Sequence, residues 1–274
     1  MAEHNLINVN SIKRSISGIV LASLVLSGMF FGGLLWLLVV MVALMVSLWE
    51  FYVILATKAH VSKGIGLAIG LLFPIMAYRG FPLSAMLAML AISSFITLFI
   101  EIVRRQLTGH SHAIFNLGST LSGIVYIVLP WTFMILLRNQ PWGLFLLVTL
   151  FACTWSCDVF AYFIGTRWGK TPFCQSVSPN KSWEGFLGGL VASLLCSGIL
   201  AFLWEFPPLP LLLLGLLCGT AGQLGDLAES ILKREAHIKD TGSLIPGHGG
   251  MLDRFDSILL NASLAFMIFE VIWL

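Results

Sequence analysis

LLWLLVVMVALMVSLWEFYVILA, residues 34–56, carries one charged side chain, Glu50, in 23 positions. At 1.5 Å per residue a helix of this length extends about 35 Å, enough to cross the roughly 30 Å hydrocarbon core of a bilayer. The apolar positions run on without in/out alternation, which excludes a barrel strand and leaves a membrane-spanning helix. Comparable runs recur at about 15–31, 65–78, 82–101, 118–137, 142–164, 186–204, 209–229 and 256–273. The run at 65–78 is short for a crossing and reads equally as one limb of a hairpin with 82–101, turning at Arg79-Gly80-Phe81-Pro82.

Composition agrees with these runs. The chain is 58% hydrophobic and only 10% charged, with a mean hydropathy of +0.95, far outside the soluble globular range. The expected fold is all-α: a polytopic helical membrane protein of about nine transmembrane helices. The polar arm with Lys13 and Arg14 precedes the first run without a small-residue cleavage site, so that run reads as a retained span. The five cysteines (Cys153, Cys157, Cys174, Cys196, Cys218) form no metal-type pair and read as buried free thiols.

Positive charge sets the expected orientation. With the N-terminus inside, Lys13, Arg14, Lys58, Lys63, Arg104, Arg105, Arg167, Lys170, Lys181, Lys233, Arg234, Lys239 and Arg254 fall on the cytoplasmic side, thirteen against two (Arg79 and Arg138) opposite. N-in and C-out follows, with the polar loops facing the cytoplasm. Residues 1–140 contain no Asp, and their Glu50 and Glu101 sit near helix ends; all five Asp lie between 158 and 256. A single integral membrane domain, 1–274, is expected, with 1–140 mainly scaffold and 141–274 the catalytic half. No nucleic-acid partner is expected.

The polar residues concentrate in one stretch, Gln223–Asp256, QLGDLAESILKREAHIKDTGSLIPGHGGMLDRFD, which holds ten of the chain's 28 Lys, Arg, Asp and Glu. Gln223, Asp226, Ser230 and Lys233 are spaced 3, 4 and 3 and so share a helix face, with Glu229 beside it. A cationic loop with Lys233, Arg234 and Lys239 follows, then Pro246-Gly-His248-Gly-Gly250, then Asp253, Arg254 and Asp256 opening the last helix. Glycines there allow backbone N–H groups to approach a ligand. Asp226 and Asp253 offer oxygen ligands for a hard cation such as Mg²⁺, which leaves its other positions to water and phosphate. Zinc is disfavoured, because His237 and His248 have no Cys or further His nearby.

Upstream, Asp158 lies in an apolar run, where an ionised carboxylate costs about 2.5–3.5 kcal/mol on insertion scales. Tyr162 and Gly165 share its face, and either an interhelical anchor or a substrate contact is consistent with that. Gly165-Thr-Arg-Trp-Gly169-Lys170-Thr171 fails as a P-loop, having three residues between its glycines and no preceding strand. Lys170 is then either a phosphate contact or an interface lysine. In Ser178-Pro-Asn-Lys-Ser-Trp-Glu184-Gly185, Ser182 suits a helix cap and Glu184 the first turn. Lys181 beside that helix start is a candidate anion contact.

The pattern Ser230-x2-Lys233-Arg234-x4-Lys239-Asp240-x-Gly242-x2-Ile245-Pro246-x-His248-Gly249-Gly250-x2-Asp253-Arg254-x-Asp256 resembles the hallmark motif of phosphatidate cytidylyltransferases (CDP-diacylglycerol synthases), without departure at its fixed positions. The blocks Asp158–Lys170, Ser178–Gly185 and Gly222–Ser230 resemble the same family, so the likeness covers about the last 120 residues. The resemblance implies transfer of CMP from CTP to phosphatidic acid, giving CDP-diacylglycerol and pyrophosphate, with Mg²⁺ and a monovalent cation such as K⁺. It makes Asp226 and Asp253 the metal ligands. Lys233, Arg234, Lys239 and Asp256 join them as catalytic candidates, and Asp158, Lys170, Lys181, Ser230, His248 and Arg254 as substrate-binding ones.

Two rivals remain at this level. A polyprenol or phytol kinase, or an ether-lipid cytidylyltransferase, needs a similar cation-binding bundle. An ion-coupled transporter would use Asp158 and Asp226 within the membrane, but the polar groups cluster at one face and no inverted repeat is evident. The expected location is the inner (plasma) membrane with the site facing the cytoplasm. Gly185, Gly188 and Gly189 invite close helix contacts and, with them, a homodimer.

Overall fold

The structure, a computed structural model, describes residues 2–56, 61–242 and 249–272, with side chains from 16 to 269. Among these, helix dominates: α1 Ala2–Phe31, α2 Gly33–Leu55, α3 Lys63–Tyr78, α4 Leu83–Thr108, α5 Ala113–Gly123, α6 Leu129–Asn139, α7 Gly143–Trp168, α8 Trp183–Leu203, α9 Pro208–Glu235 and α10 Leu252–Phe266. A π segment, Ile124–Val128, joins α5 to α6 into one rod, and another, Met267–Ile272, follows α10. This is an all-α polytopic membrane protein. Lys58 and His248, singled out above, lie outside the described residues.

Six helices among the described residues are long and apolar enough to cross a membrane: Gly33–Leu55, Leu83–Thr108, Ala113–Asn139, Gly143–Trp168, Trp183–Leu203 and Pro208–Glu235. The other three expected spans fall on shorter elements. Ile16–Phe31 and Lys63–Tyr78 are apolar but short, and α10 has only 15 residues before its π segment. The turn expected at Arg79–Pro82 lies between α3 and α4, with Gly80 at φ 74.

The chain clusters into two compact units, residues 1–136 with 240–254 and residues 137–239 with 255–274. In the first, Tyr52 of α2 is fully buried and donates its hydroxyl to the Thr120 carbonyl at 2.8 Å. Gly66 and Gly123 make room for its ring, since a Cβ on either would overlap it. The Asn116 carboxamide donates to the Glu101 carboxylate at 2.8 Å, pairing a buried charge within this apolar unit.

The second unit is built on α7, α8 and α9, packed along small residues. A Cβ on Gly189 would lie 2.9 Å from the Cys157 carbonyl oxygen, and one on Gly185 2.7 Å from that of Ala161. Gly188 likewise abuts Ile164. These glycines therefore join α8 to α7 within one chain. On the α9 side, Ser193 donates to the Gly215 carbonyl at 2.7 Å. On its far face α9 meets α10: a Cβ on Gly225 would lie 2.9 Å from the Asp256 carbonyl oxygen, and one on Gly222 2.7 Å from Asn261 Nδ2.

A short antiparallel hairpin, β1 Pro172–Cys174 and β2 Ser178–Ser182, connects α7 to α8. Expected as loop, it closes with Pro172 opposite Ser182, and Ser182 then caps α8 by accepting the Gly185 N–H at 3.2 Å. The five cysteines are free thiols, with Cys153, Cys157 and Cys218 buried.

Because the obstacle at Gly189 is backbone, Gly189→Ala should cost about 1–3 kcal/mol, whereas Gly64→Ala, with nothing within 4 Å of the added carbon, should leave stability unchanged or slightly raised. Thermal unfolding of the two variants in one detergent measures the difference.

Candidate active site

The last turns of α9 carry most of the polar side chains. Ser230 donates to Asp226 Oδ1 at 3.2 Å and Lys233 pairs with Glu229 at 2.7 Å, both one helical turn apart. Glu229 precedes Lys233, the favourable order for such a pair, and its side chain is only 1% exposed. The helix stops at His237, at φ 57, with the His237 and Ile238 N–H groups donating to the Arg234 and Lys233 carbonyls. That is a left-handed helix stop, usually made by glycine.

The hairpin brings Lys181 over this helix. Its ammonium lies 2.8 Å from Asp226 Oδ2 and 3.3 Å from the Gln223 carbonyl oxygen. Gln223 is buried, and its carboxamide donates to the Phe186 and Gly219 carbonyls, so of the polar stripe it is structural. Arg234 donates Nε to the Val177 carbonyl at 3.2 Å and so holds the hairpin turn.

Asp158, Tyr162 and Gly165 do share a face of α7. With Asn180, Lys181, Gln223 and Asp226 they line a cavity of about 590 Å³, within the range of small-molecule sites. The Gly165–Trp168 part of the failed P-loop is helical, and Lys170 follows it at the surface. The Lys170 and Thr171 N–H groups and the Thr171 hydroxyl all donate to Glu184, which clamps the start of the hairpin to α8. Lys239 is exposed in the segment after α9.

Asp256 accepts the Ser257 N–H at 2.6 Å and lies within electrostatic reach of Asp226 and Glu229. This corner sets three carboxylates against the two ammonium groups of Lys181 and Lys233. Among the described residues no group of three or more His, Cys, Asp or Glu converges as a complete metal site. Oxygen donors short of a full ligand set fit a hard cation that keeps water and phosphate in its shell, as Mg²⁺ does.

Asp253 is placed in the first unit. Its Oδ2 accepts the Thr241 N–H at 2.9 Å, the Thr241 hydroxyl at 2.9 Å and the Gly250 N–H at 2.8 Å. The last of these ties the first turn of α10 back to the segment that leads into it. Arg254 is exposed in the same turn. Glu50 of α2 accepts the Met251 and Leu252 N–H groups at 3.0 and 2.9 Å. Sequence reasoning set Glu50 near a helix end without a function. The signal was there, since it is the single charge in the 34–56 run.

A model of the cytidylyltransferase family matches residues 12–272, nearly the whole chain. The chain belongs to that family. Among relatives, it is similar to the phosphatidate cytidylyltransferase of Bacillus subtilis (strain 168), 41% identical over 53% of this chain and 55% of the relative. It is also similar to that of Synechocystis, 44% identical over 47% of this chain and 44% of the relative. With the Staphylococcus aureus (strain COL) protein of the same name it shares 31% identity over 90% of this chain and 94% of the relative. The first two matches thus span about half of each relative's own length.

In this cytidylyltransferase-family chain Glu184 holds the hairpin through three donors. Glu184→Ala should therefore raise amide hydrogen exchange at Lys170 and Thr171, while the Gly185 amide, held by Ser182, keeps its protection.

Proposed function

We propose that the protein transfers CMP from CTP to phosphatidic acid, forming CDP-diacylglycerol and pyrophosphate. The observation that carries this reading is the Asp158–Lys181–Asp226 cavity in a chain of the cytidylyltransferase family. A phosphate oxygen of phosphatidate attacks the α-phosphorus of CTP as the bond to the β-phosphate oxygen breaks. The attacking oxygen is already anionic, so no general base is needed, and catalysis consists of alignment and charge neutralisation.

Asp226 and Asp253 are the proposed Mg²⁺ ligands, assigned by the motif and each suited by its oxygen donors; a monovalent cation such as K⁺ accompanies it. Mg²⁺ bound there would neutralise triphosphate charge. Lys181, now against Asp226, is the nearest cation to receive a phosphate in the cavity. Lys233, Arg234 and Lys239 meet the leaving pyrophosphate, with Lys170 and Arg254 as further substrate-binding candidates by the family resemblance. Asp158, Ser230 and Asp256 orient the cavity groups, and His248 is a substrate-binding candidate by the family resemblance. The lipid enters laterally from the bilayer. The proposed location is the inner membrane with the site facing the cytoplasm, supported by the thirteen-to-two charge asymmetry. A homodimer is also proposed; the α8 glycines expected at its contact pack against α7 of the same chain.

Purified protein in mixed micelles with phosphatidic acid, Mg²⁺ and radiolabelled CTP should move label into the lipid phase. Asp226→Ala and Asp253→Ala should each lose roughly 100-fold or more, the scale of removing a principal charge-stabilising group. Near-normal rates in both would overturn the metal assignment, and no lipid label with any divalent ion would overturn the reaction.

A further inference from the structure

We propose that Glu50, on the second helix, is a positioning residue for the transfer. It holds the start of α10 so that the Asp253 carboxylate keeps a fixed direction. This rests on the reading above, in which Asp253 is a metal ligand.

A carboxylate in an apolar span is costly unless its oxygens are satisfied. Glu50 is 6% exposed, and its two oxygens accept the Met251 and Leu252 N–H groups at 3.0 and 2.9 Å. These are donors that the first turn of a helix leaves without internal partners, at the positive end of its dipole. A side chain at the capping position normally fills that place. Here the residue before α10 is Met251, whose side chain offers no oxygen acceptor, and Glu50 supplies the cap from about 200 residues away in sequence.

The glycines follow from the same contact. A Cβ on Gly250 would lie 2.7 Å from Glu50 Oε2, and one on Gly242 2.5 Å from Glu50 Oε1. Two fixed glycines of the polar stretch are therefore the clearance for one distant carboxylate. Gly249, at φ 82, completes the turn, and a Cβ there would lie 2.9 Å from Asp253 Oδ2.

Thr241 links the two acids. Its hydroxyl stands 2.9 Å from Asp253 Oδ2 and 3.4 Å from Glu50 Oε2, while its N–H also donates to Asp253. With Gly250 N–H, three donors fix one oxygen of Asp253, and Glu50 holds the two amides that directly follow Gly250. Loosening Glu50 releases the direction of a carboxylate that has to meet a cation. Outer groups that orient metal ligands typically change affinity or activity 10–100-fold.

The test is Mn²⁺ binding by purified full-length protein in detergent, followed by depletion of the free-ion EPR signal, beside a Mg²⁺ titration of transfer. Glu50→Gln puts an amide donor against an N–H donor and should weaken Mn²⁺ binding about tenfold or more. It should raise the half-saturating Mg²⁺ in parallel, with the KM for phosphatidate within about twofold of wild type. Glu50→Asp, which keeps the charge on a shorter arm, should recover part of the loss. Thr241→Val should shift in the same direction by less, and serves if Glu50→Gln does not fold. Asp253→Ala, measured alongside, separates the two levels. If it loses Mn²⁺ while folded Glu50→Gln binds like wild type, Glu50 has no positioning role and the metal reading stands. If Asp253→Ala binds Mn²⁺ normally, the metal reading falls and takes the Glu50 assignment with it.

Discussion

Hydrocarbon offers no hydrogen bonds, so a charged group within the spans of this chain is stable only where the protein itself supplies a partner. The arrangement of the polar residues follows from that constraint. Glu229 sits nearly buried because Lys233 is one turn away, and Asp226 accepts from Ser230 while facing Lys181. Glu50 rests on the free amides at the start of α10. Each pairing lowers the cost of holding a charge in a largely apolar chain.

Close backbone approach is the second requirement, and glycine meets it. Gly185, Gly188 and Gly189 bring α8 onto α7, and Gly222 and Gly225 bring α10 onto α9. The second group has functional weight, since it sets Asp256 beside the helix that carries Asp226 and Glu229. Small residues at membrane helix contacts are a general device. In this chain they are spent inside the protein.

The spans were legible because hydropathy over 20 residues outweighs any local preference: residues 34–56 and 142–164 fall on α2 and α7 almost without adjustment. The shared face of Asp158, Tyr162 and Gly165 was legible from helical spacing alone, and Ser182 from its position before an apolar run. What spacing could not show was long-range pairing. The bonds from Glu50 to Met251 and Leu252 join residues some 200 apart, and nothing local marks them. The hairpin was missed because Pro172–Ser182 is short, polar and without strand alternation; its closure depends on Glu184 and Arg234 from neighbouring helices. The α8 glycines were legible as a contact surface, but sequence does not say whether the contact is a second copy or the preceding helix.

The central claim is that the bond broken lies at the α-phosphorus of CTP. The most direct measurement compares CTP labelled at the α-phosphate with CTP labelled at the γ-phosphate, each incubated with the protein, phosphatidic acid and Mg²⁺. The account predicts α-label in the lipid and γ-label released entirely as pyrophosphate. Label from the γ-position appearing in lipid would show a kinase and contradict it.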